Sequence, residues 1–310
     1  MKTERNNGLI VNLQIFLAKV LHFTYVTLFK PPLLKKLING ILLAFIPKKL
    51  RVGSGVIYLN PKDPVVSGAL TLRVYEREEQ AFFLRSCRQG MTVVDVGANV
   101  GLYTSLAMHQ IGKTGRLISI EPFQDSLRYL KQTIDENKKI LSPSSYPEVH
   151  LIEAAASDKA GTAHLFINPI NGGDNRLYAD KSLVDTAVIQ TERIDQMLKS
   201  LGVEEINYLK IDVQGYEFHA LRGAQEILKR SQRTIILSEF WPEGLQQAGD
   251  QPIDYLFFLE SLDFTLYQLD QDKLRRLNNR ADCDHLISAH PGVAYCNIVA
   301  LKGFSPEEFI

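Results

Sequence analysis

The sequence predicts an α/β domain built on a buried, mostly parallel sheet with helices on both faces. Two observations carry this. From residue 92 onward short apolar runs alternate with helical stretches, and the runs are apolar at nearly every position. Strands buried on both faces read that way, and strand–helix alternation marks parallel strands joined by helical crossovers. A third observation says where to look for a site. Acids and a glycine turn sit where the runs end, at Asp95, Gly97, Glu121 and Asp212, and such sheets bind ligands beyond the carboxyl ends of their strands.

In order, Thr92–Val96 is a strand and Gly101–Gln110 its helix. Arg116–Glu121 and Asp125–Lys138 are the next pair, followed by a strand at Val149–Ala156. Between Gly161 and Gln190 the pattern turns irregular, with β runs at Ala163–Ile167 and Ala187–Gln190 around the turn-rich Asn168–Asn175. Ile194–Leu201 is a short helix, Ile206–Asp212 a strand, Tyr216–Arg230 a helix and Thr234–Phe240 a strand. A helix at Ile253–Leu262 and strands at Phe264–Leu269 and Ala294–Leu301 complete the alternation. Upstream, Val56–Asn60 and Ala69–Val74 read as short strands around a Pro/Gly turn. Tyr75–Arg88 is helical and closed by Gly90, and Gly53-Ser54-Gly55 reads as a flexible joint.

A chain of 310 residues accommodates one large domain and an appendage, divided here as 1–52 and 53–310. Lysine plus arginine equals aspartate plus glutamate at 35 each, which argues against a nucleic-acid partner. Three cysteines, Cys87, Cys283 and Cys296, are widely spaced, as expected of thiols in a reducing compartment. Seven basic and no acidic residues lie between Lys19 and Arg51. The apolar stretches Leu9–Phe29 and Leu33–Leu50 read as two amphipathic helices. Asn12, Gln14, Lys19 and His22 interrupt the first, which argues against a membrane span, and Glu4 argues against a signal peptide. A docked helical lid and a peripheral membrane contact through residues 9–50 both remain open. The expected location is the cytoplasm, with membrane association through these helices as the variant.

Five segments carry chemistry. In Val93–Thr104, an acid ends the strand, a glycine turn follows and a helix begins. Gly97 permits unusual backbone angles, and Gly101 leaves room for a ligand at the helix start. Free amides there suit a carboxylate, while Asp95 suits an ammonium group. With Asn99 between glycines spaced GxxxG, the loop fits the amino-acid half of S-adenosylmethionine better than a dinucleotide pyrophosphate. Glu121, about twenty residues on, suits the hydroxyls of a ribose, with Pro122 and Phe123 beside an adenine ring. In Ala154–Asp158, small residues leave room for a purine, and Ser157 or Asp158 is placed to bond its amino group. In Leu209–Glu217, Lys210 and Asp212 are costly inside an apolar strand unless partnered, and Gln214 would share their side if the strand ran on. Glu239, with Phe240 and Trp241, is placed to line an acceptor pocket. No histidine or cysteine cluster has metal-ligand spacing, and His219 is an outside candidate for a base.

Taken in this order, VVDVGANVGLYT, ISIEP, AAASD, LKIDVQGYE with the following LRGAQEIL, and ILSEF resemble the FkbM family of methyltransferases, a branch of the class I Rossmann-like enzymes. The resemblance covers roughly residues 75–240. It implies a seven-stranded sheet with a reversed last strand, S-adenosylmethionine as cofactor and O-methylation of a sugar, glycan or other natural product. Carried over by position, the resemblance implies that Asp95, Gly97, Asn99 and Gly101 form the methionine-side loop and that Glu121 is the ribose ligand, with Thr104 and Pro122 also expected to bind the cofactor. Asp158 lies near adenine, and Asp212, Lys210 and Gln214 stand by the transferred methyl. Relatives carry glutamate where this chain has Gln214.

The expected reaction is in-line attack of an acceptor hydroxyl on the sulfonium methyl, with Asp212 as base and Lys210 tuning it. A Mg²⁺-assisted variant through Asp212 and Glu239 is the weaker form, and no resident metal is expected. An NAD-dependent oxidoreductase is the runner-up, which the loop spacing argues against. A membrane-peripheral binding protein that has kept the fold and weakened its catalysis is the third reading, motivated by Gln214 and the basic N-terminus.

Overall fold

A computed structural model describes residues 43, 45–168, 171–179, 185–271 and 273–309. The two N-terminal helices expected at residues 9–29 and 33–50 lie almost wholly outside them. Among the described residues no helix is long and apolar enough to cross a membrane.

The chain begins with a hairpin, β1 (Lys49–Val52) and β2 (Gly55–Tyr58). Gly53 and Ser54 are therefore its turn and not a free joint, and the division at 52/53 falls on that turn. Two helices follow, α1 (Val66–Thr71) and α2 (Arg77–Ser86). The strand expected at Ala69–Val74 is thus helical. The cause is Asp63, whose Oδ1 accepts from the amides of Val65 and Val66 at 3.0 Å each and so caps the turn.

The alternation then runs as expected through β3 (Thr92–Val96), α3 (Leu102–Ile111), β4 (Arg116–Ile120), α4 (Gln124–Ile140) and β5 (Glu148–Ile152). The run expected to Ala156 breaks, and β6 (Ala155–Ala156) joins a separate three-stranded sheet with β7 (Gly161–Ile167) and β8 (Asp185–Glu192). So the irregular segment is a long antiparallel hairpin. Next come α5 (Ile194–Ser200) and β9 (Tyr208–Ile211). The single helix expected at Tyr216–Arg230 is two, α6 (Glu217–Gly223) and α7 (Gln225–Arg230). Then follow β10 (Thr234–Phe240), α8 (Pro242–Gln247), α9 (Pro252–Glu260), β11 (Thr265–Asp270), β12 (Lys273–Arg276), α10 (Arg280–Ala289) and β13 (Cys296–Lys302).

The main sheet has the order β12-β11-β13-β10-β9-β3-β4-β5. Strand β13 enters antiparallel between β10 and β11, which is the reversed last strand. The strand count is eight and not seven, because β12 folds back on β11. Its sequence, KLRR, has no apolar pattern to read, and its charges suit an exposed edge. Each strand sends alternate residues to opposite faces. Val94, Val96, Ile118, Leu209, Ile211 and Ile236 meet helices on one face, while Val93, Leu117, Tyr208, Ile235, Val299 and Leu301 pack on the other.

The hairpin is fastened to α4 by side chains that complete a strand edge. Asn137 accepts from Val56 N at 3.0 Å and donates to Val56 O at 2.6 Å, and Thr133 Oγ1 accepts from Tyr58 N at 2.9 Å. Asn137 is fully buried and also meets His109 Nε2 at 2.9 Å. Replacing Asn137 by alanine strands these groups, with an expected loss of about 2 kcal/mol in urea unfolding. A loss under about 0.5 kcal/mol would show that the hairpin is held by other contacts.

Candidate active site

Strands β3 and β9 are neighbours whose chains depart in opposite directions, so a crevice opens between their carboxyl ends. Two glycines shape the loop there. Gly97 has φ +78°, and a Cβ would overlap the Asp212 carbonyl oxygen. Its absence lets the β3 loop lie directly on the β9 loop. Gly101 has φ +94°, and its bare Cα faces Leu130 and Thr133 of α4. The expectation that Gly101 clears space for a ligand is corrected: it clears space for a helix. Gly97 and Asn99 do line the crevice, and Gly101 does not.

Asp95 is 1% exposed and accepts from Thr104 Oγ1 at 2.7 Å, with Ser119 Oγ 2.7 Å beyond. Thr104 is thus a partner of Asp95 and does not line the crevice. Burial pushes the Asp95 carboxyl up to about 6, against the pull of Thr104 and Lys210. Glu121 accepts from the Asn99 amide at 2.8 Å through one oxygen and from the Phe123 amide at 2.9 Å through the other. The carboxylate is fixed in place with lone pairs left over. Burial pushes it up to about 7, with the two amides opposing.

Glu121, Pro122, Phe123 and Ala154–Ala156 line a cavity that opens to solvent. Gly172, Gly173, Asn175 and Leu177, from the tip of the β7–β8 hairpin, form its far wall. Asp158 is not there. It turns to His219 Nδ1 at 3.2 Å, and Asp250 meets the other ring nitrogen at 3.2 Å. Partial burial works against its charge, yet His219 and Arg222 hold its carboxyl below the usual range. The adenine role expected of Asp158 and the base role of His219 both find no support in this placement. The alanines, on the other hand, line the cavity as expected.

A second, smaller compartment adjoins the first through Tyr75, Gly97, Asn99 and Asp212. Asp95, Glu76, Tyr103 and Lys210 line it. Lys210 is 2% exposed, lies 3.8 Å from Asp212 Oδ2 and 5.0 Å from the Tyr103 ring centre, and its Nζ has no hydrogen-bond partner. Burial works against its charge, but Glu76, Asp212, Glu239 and Glu79 outweigh that and raise its pKa.

Gln214 joins the cluster by a route other than strand alternation. Strand β9 ends at Ile211, and Gln214 takes the left-handed conformation with φ +53°. Its Nε2 donates to Asp212 Oδ1 at 2.9 Å and to Glu239 Oε1 at 3.2 Å. Tyr75, Glu76, Asp212, Glu239, Trp241 and Tyr295 line a wider groove that meets the other two cavities at Tyr75 and Asp212. Phe240, expected beside it, is wholly buried and absent from its lining.

Sequence reasoning missed Tyr75, Glu76, Tyr103 and Glu217. Tyr75 lines all three spaces. Glu76 receives the Tyr103 hydroxyl at 2.7 Å, and burial raises its carboxyl although Lys210 opposes this. The signal available was YEREEQ, an acidic start to a helix that also carries a left-handed residue, φ +43° at Glu76.

Comparison with known proteins agrees with this architecture. The profile of the methyltransferase FkbM domain matches residues 95–266. A methyltransferase of Sordaria araneosa, sdnD, is 25% identical over 183 residues, 50% of this chain and 68% of that protein. The O-methyltransferase from Bacillus cereus in complex with S-adenosylhomocysteine aligns over 92% of this chain and 97% of its own, at 13% identity and a TM-score of 0.41. Aeropyrum pernix fibrillarin with natively bound S-adenosylmethionine aligns over 72% of this chain and 74% of its own, at 12% identity and a TM-score of 0.40. These two structural likenesses are too slight to bear on substrate or mechanism. The profile covers more than half of the sequence, from the Asp95 loop to β11, and the chain belongs to the FkbM-domain family of methyltransferases.

Proposed function

We propose that this protein transfers a methyl group from S-adenosylmethionine to a hydroxyl of a sugar, glycan or other natural-product acceptor. The observation that carries this reading is the three-way junction at Asp212 and Tyr75. A cavity lined by Glu121 and the alanines, an acid-lined compartment and an open groove meet there, at the switch point of the sheet.

In this reading adenine lies against Ala154–Ala156, Pro122 and Phe123, and the ribose hydroxyls donate to Glu121. Asp95 faces the ammonium group and Lys210 the carboxylate of the methionine end. The cofactor supplies an electrophilic methyl on sulfonium sulfur. The chain's own work is positioning and proton removal. Asp212, on the rim shared by all three spaces, takes the proton of the acceptor hydroxyl. Gln214 holds that carboxylate from one side, and the Lys210 ammonium lies 3.8 Å from its other oxygen.

S-adenosylhomocysteine should raise the melting temperature of the full chain, and NADH should not. Stabilisation by NADH alone would sink the methyl-transfer reading. Asp212→Asn should lower kcat by about 10²–10⁴-fold and leave S-adenosylhomocysteine affinity within about threefold. Full turnover by this variant would remove the base role.

Glu121 gives a pH signature. Its folded pKa of about 7 exceeds the ordinary 4.5. It therefore stabilises the ligand-free protein fully below about pH 4.5, and this contribution, of order 3 kcal/mol, is lost as pH rises through about 7. The ionised form is the better acceptor for ribose hydroxyls. S-adenosylhomocysteine affinity should then increase as pH climbs through about 7. In calorimetry, Glu121→Gln should bind roughly a hundredfold more weakly at pH 8 and lose that dependence. Unchanged affinity at pH 8 would remove Glu121 from the ribose site.

A further inference from the structure

Behind the groove lies a carboxylate with one oxygen that neither the fold nor the methyl-transfer reading uses. Glu217, at the start of α6, is fully buried. Its Oε1 accepts from the amides of Val213 at 2.9 Å and Gly215 at 3.2 Å, which fixes the side chain in place. Its Oε2 is buried and has no hydrogen-bond partner. One carboxylate oxygen each from Glu217, Asp212 and Glu239 lie within 4.8 Å of one another. Asp212 and Glu217 flank the turn between β9 and α6, and Glu239 reaches them from the end of β10, so two segments converge here.

Charge argues the same way. Asp212, Glu217 and Glu239 lie together with Glu76 close by; among the described residues Lys210 is the ammonium that acts on them, and the Arg176 guanidinium also lines the groove. Lys210 reaches Asp212 only at 3.8 Å and makes no hydrogen bond. A buried carboxylate without a cation or donor is costly. Gln214 also contributes. Its amide sits between Asp212 and Glu239 with the nitrogen toward both. Turned through 180°, the same amide presents its oxygen as a fourth hard ligand.

The geometry points to a binding site for a hard divalent cation, Mg²⁺ or Mn²⁺, formed by Asp212, Glu217 and Glu239 with the Gln214 amide beside it. Oxygen-only ligation of this kind suits Mg²⁺ and Mn²⁺ and disfavours soft metals. Asp212 and Glu239 also line the open groove, so the cation stands where an acceptor hydroxyl would enter. An alcohol oxygen on such a cation loses its proton more readily to a neighbouring carboxylate. That consequence rests on the methyl-transfer reading; the binding itself does not.

Titration of the full chain with Mn²⁺, followed by electron paramagnetic resonance, tests this without turnover. The expected result is one saturable site that Mg²⁺ displaces. Glu239→Gln and Glu217→Gln should each weaken it at least tenfold, whereas Glu204→Gln, on the exposed surface, should leave it unchanged. Circular dichroism checks that each variant is folded, and Glu239→Gln alone decides the matter if Glu217→Gln does not fold. No saturable Mn²⁺ site, or Mn²⁺ bound equally well by Glu239→Gln, overturns the proposal. S-adenosylhomocysteine binding with no Mn²⁺ site would sink the cation site alone. Mn²⁺ binding with no response to S-adenosylhomocysteine would sink the methyl-transfer reading and leave the cation site standing.

Discussion

Lys210 lies on β9, inside the main sheet, 2% exposed and with no hydrogen-bond acceptor in reach of its Nζ. An ammonium buried this deeply is stable only with anions near it. They arrive from three directions. Glu76 and Glu79 come with the start of α2, Asp212 follows β9, and Glu239 lies on β10. Asp95, its register partner on β3, adds to the same field. The charge therefore ties helix α2 to the sheet at the place where the three cavities meet. It also gives a reason for the left-handed residue at Glu76, which costs about 1 kcal/mol locally. That bend sets the Glu76 carboxylate against the Tyr103 hydroxyl, whose ring lies 5.0 Å from Lys210.

A second constraint acts through backbone alone. Gly97 lies so close to the Asp212 carbonyl that no side chain fits between, and Asp212 N donates to Val96 O at 3.1 Å. The amides of Gly97 and Ala98 both reach Ile120 O, at 3.0 and 3.1 Å. Three strand ends are thereby fixed to one another before any ligand arrives. The Asp95 loop, Glu121 and Asp212 are then parts of one rigid edge and not three independent loops. This is the preorganisation that a positioning enzyme needs.

The sequence made the sheet easy to read and the rim hard to read, for a physical reason. Thr92–Val96 and Thr234–Phe240 match their expected bounds because a strand buried on both faces must be apolar throughout. Edge strand β12 has no such pressure, and its charged residues hide it. Ala69–Val74 has strand-like composition, but the Asp63 side chain accepts from the amides two and three residues on and starts a helix, a short-range signal that the strand reading passed over. At the site, residues fixed by their own strand end were legible: Asp95, Glu121 and Asp212. Residues whose position depends on another segment were not. Asp158 was expected at the cavity from its place after a strand, but His219 and Arg222 draw it away. Tyr75, Glu76 and Glu217 reach the site only because other elements carry them there.

Gln214 shows how the structure changes the meaning of a single departure from the family pattern. Its amide donates to Asp212 and Glu239 in a pocket that already holds several carboxylates around one lysine. Another carboxylate at this position, in the same place, would accept from neither and repel both. The amide instead links two groups that would otherwise push apart. The left-handed backbone that places it is braced from outside, since the Tyr178 hydroxyl donates to Gln214 O at 3.0 Å. Tyr178 belongs to the segment between β7 and β8, whose neighbouring residues Asn175 and Leu177 line the cavity beside Glu121. So glutamine here is a supported, hydrogen-bonded part of the site. Its presence argues for a lowered negative charge beside Asp212, not for a site that has fallen out of use.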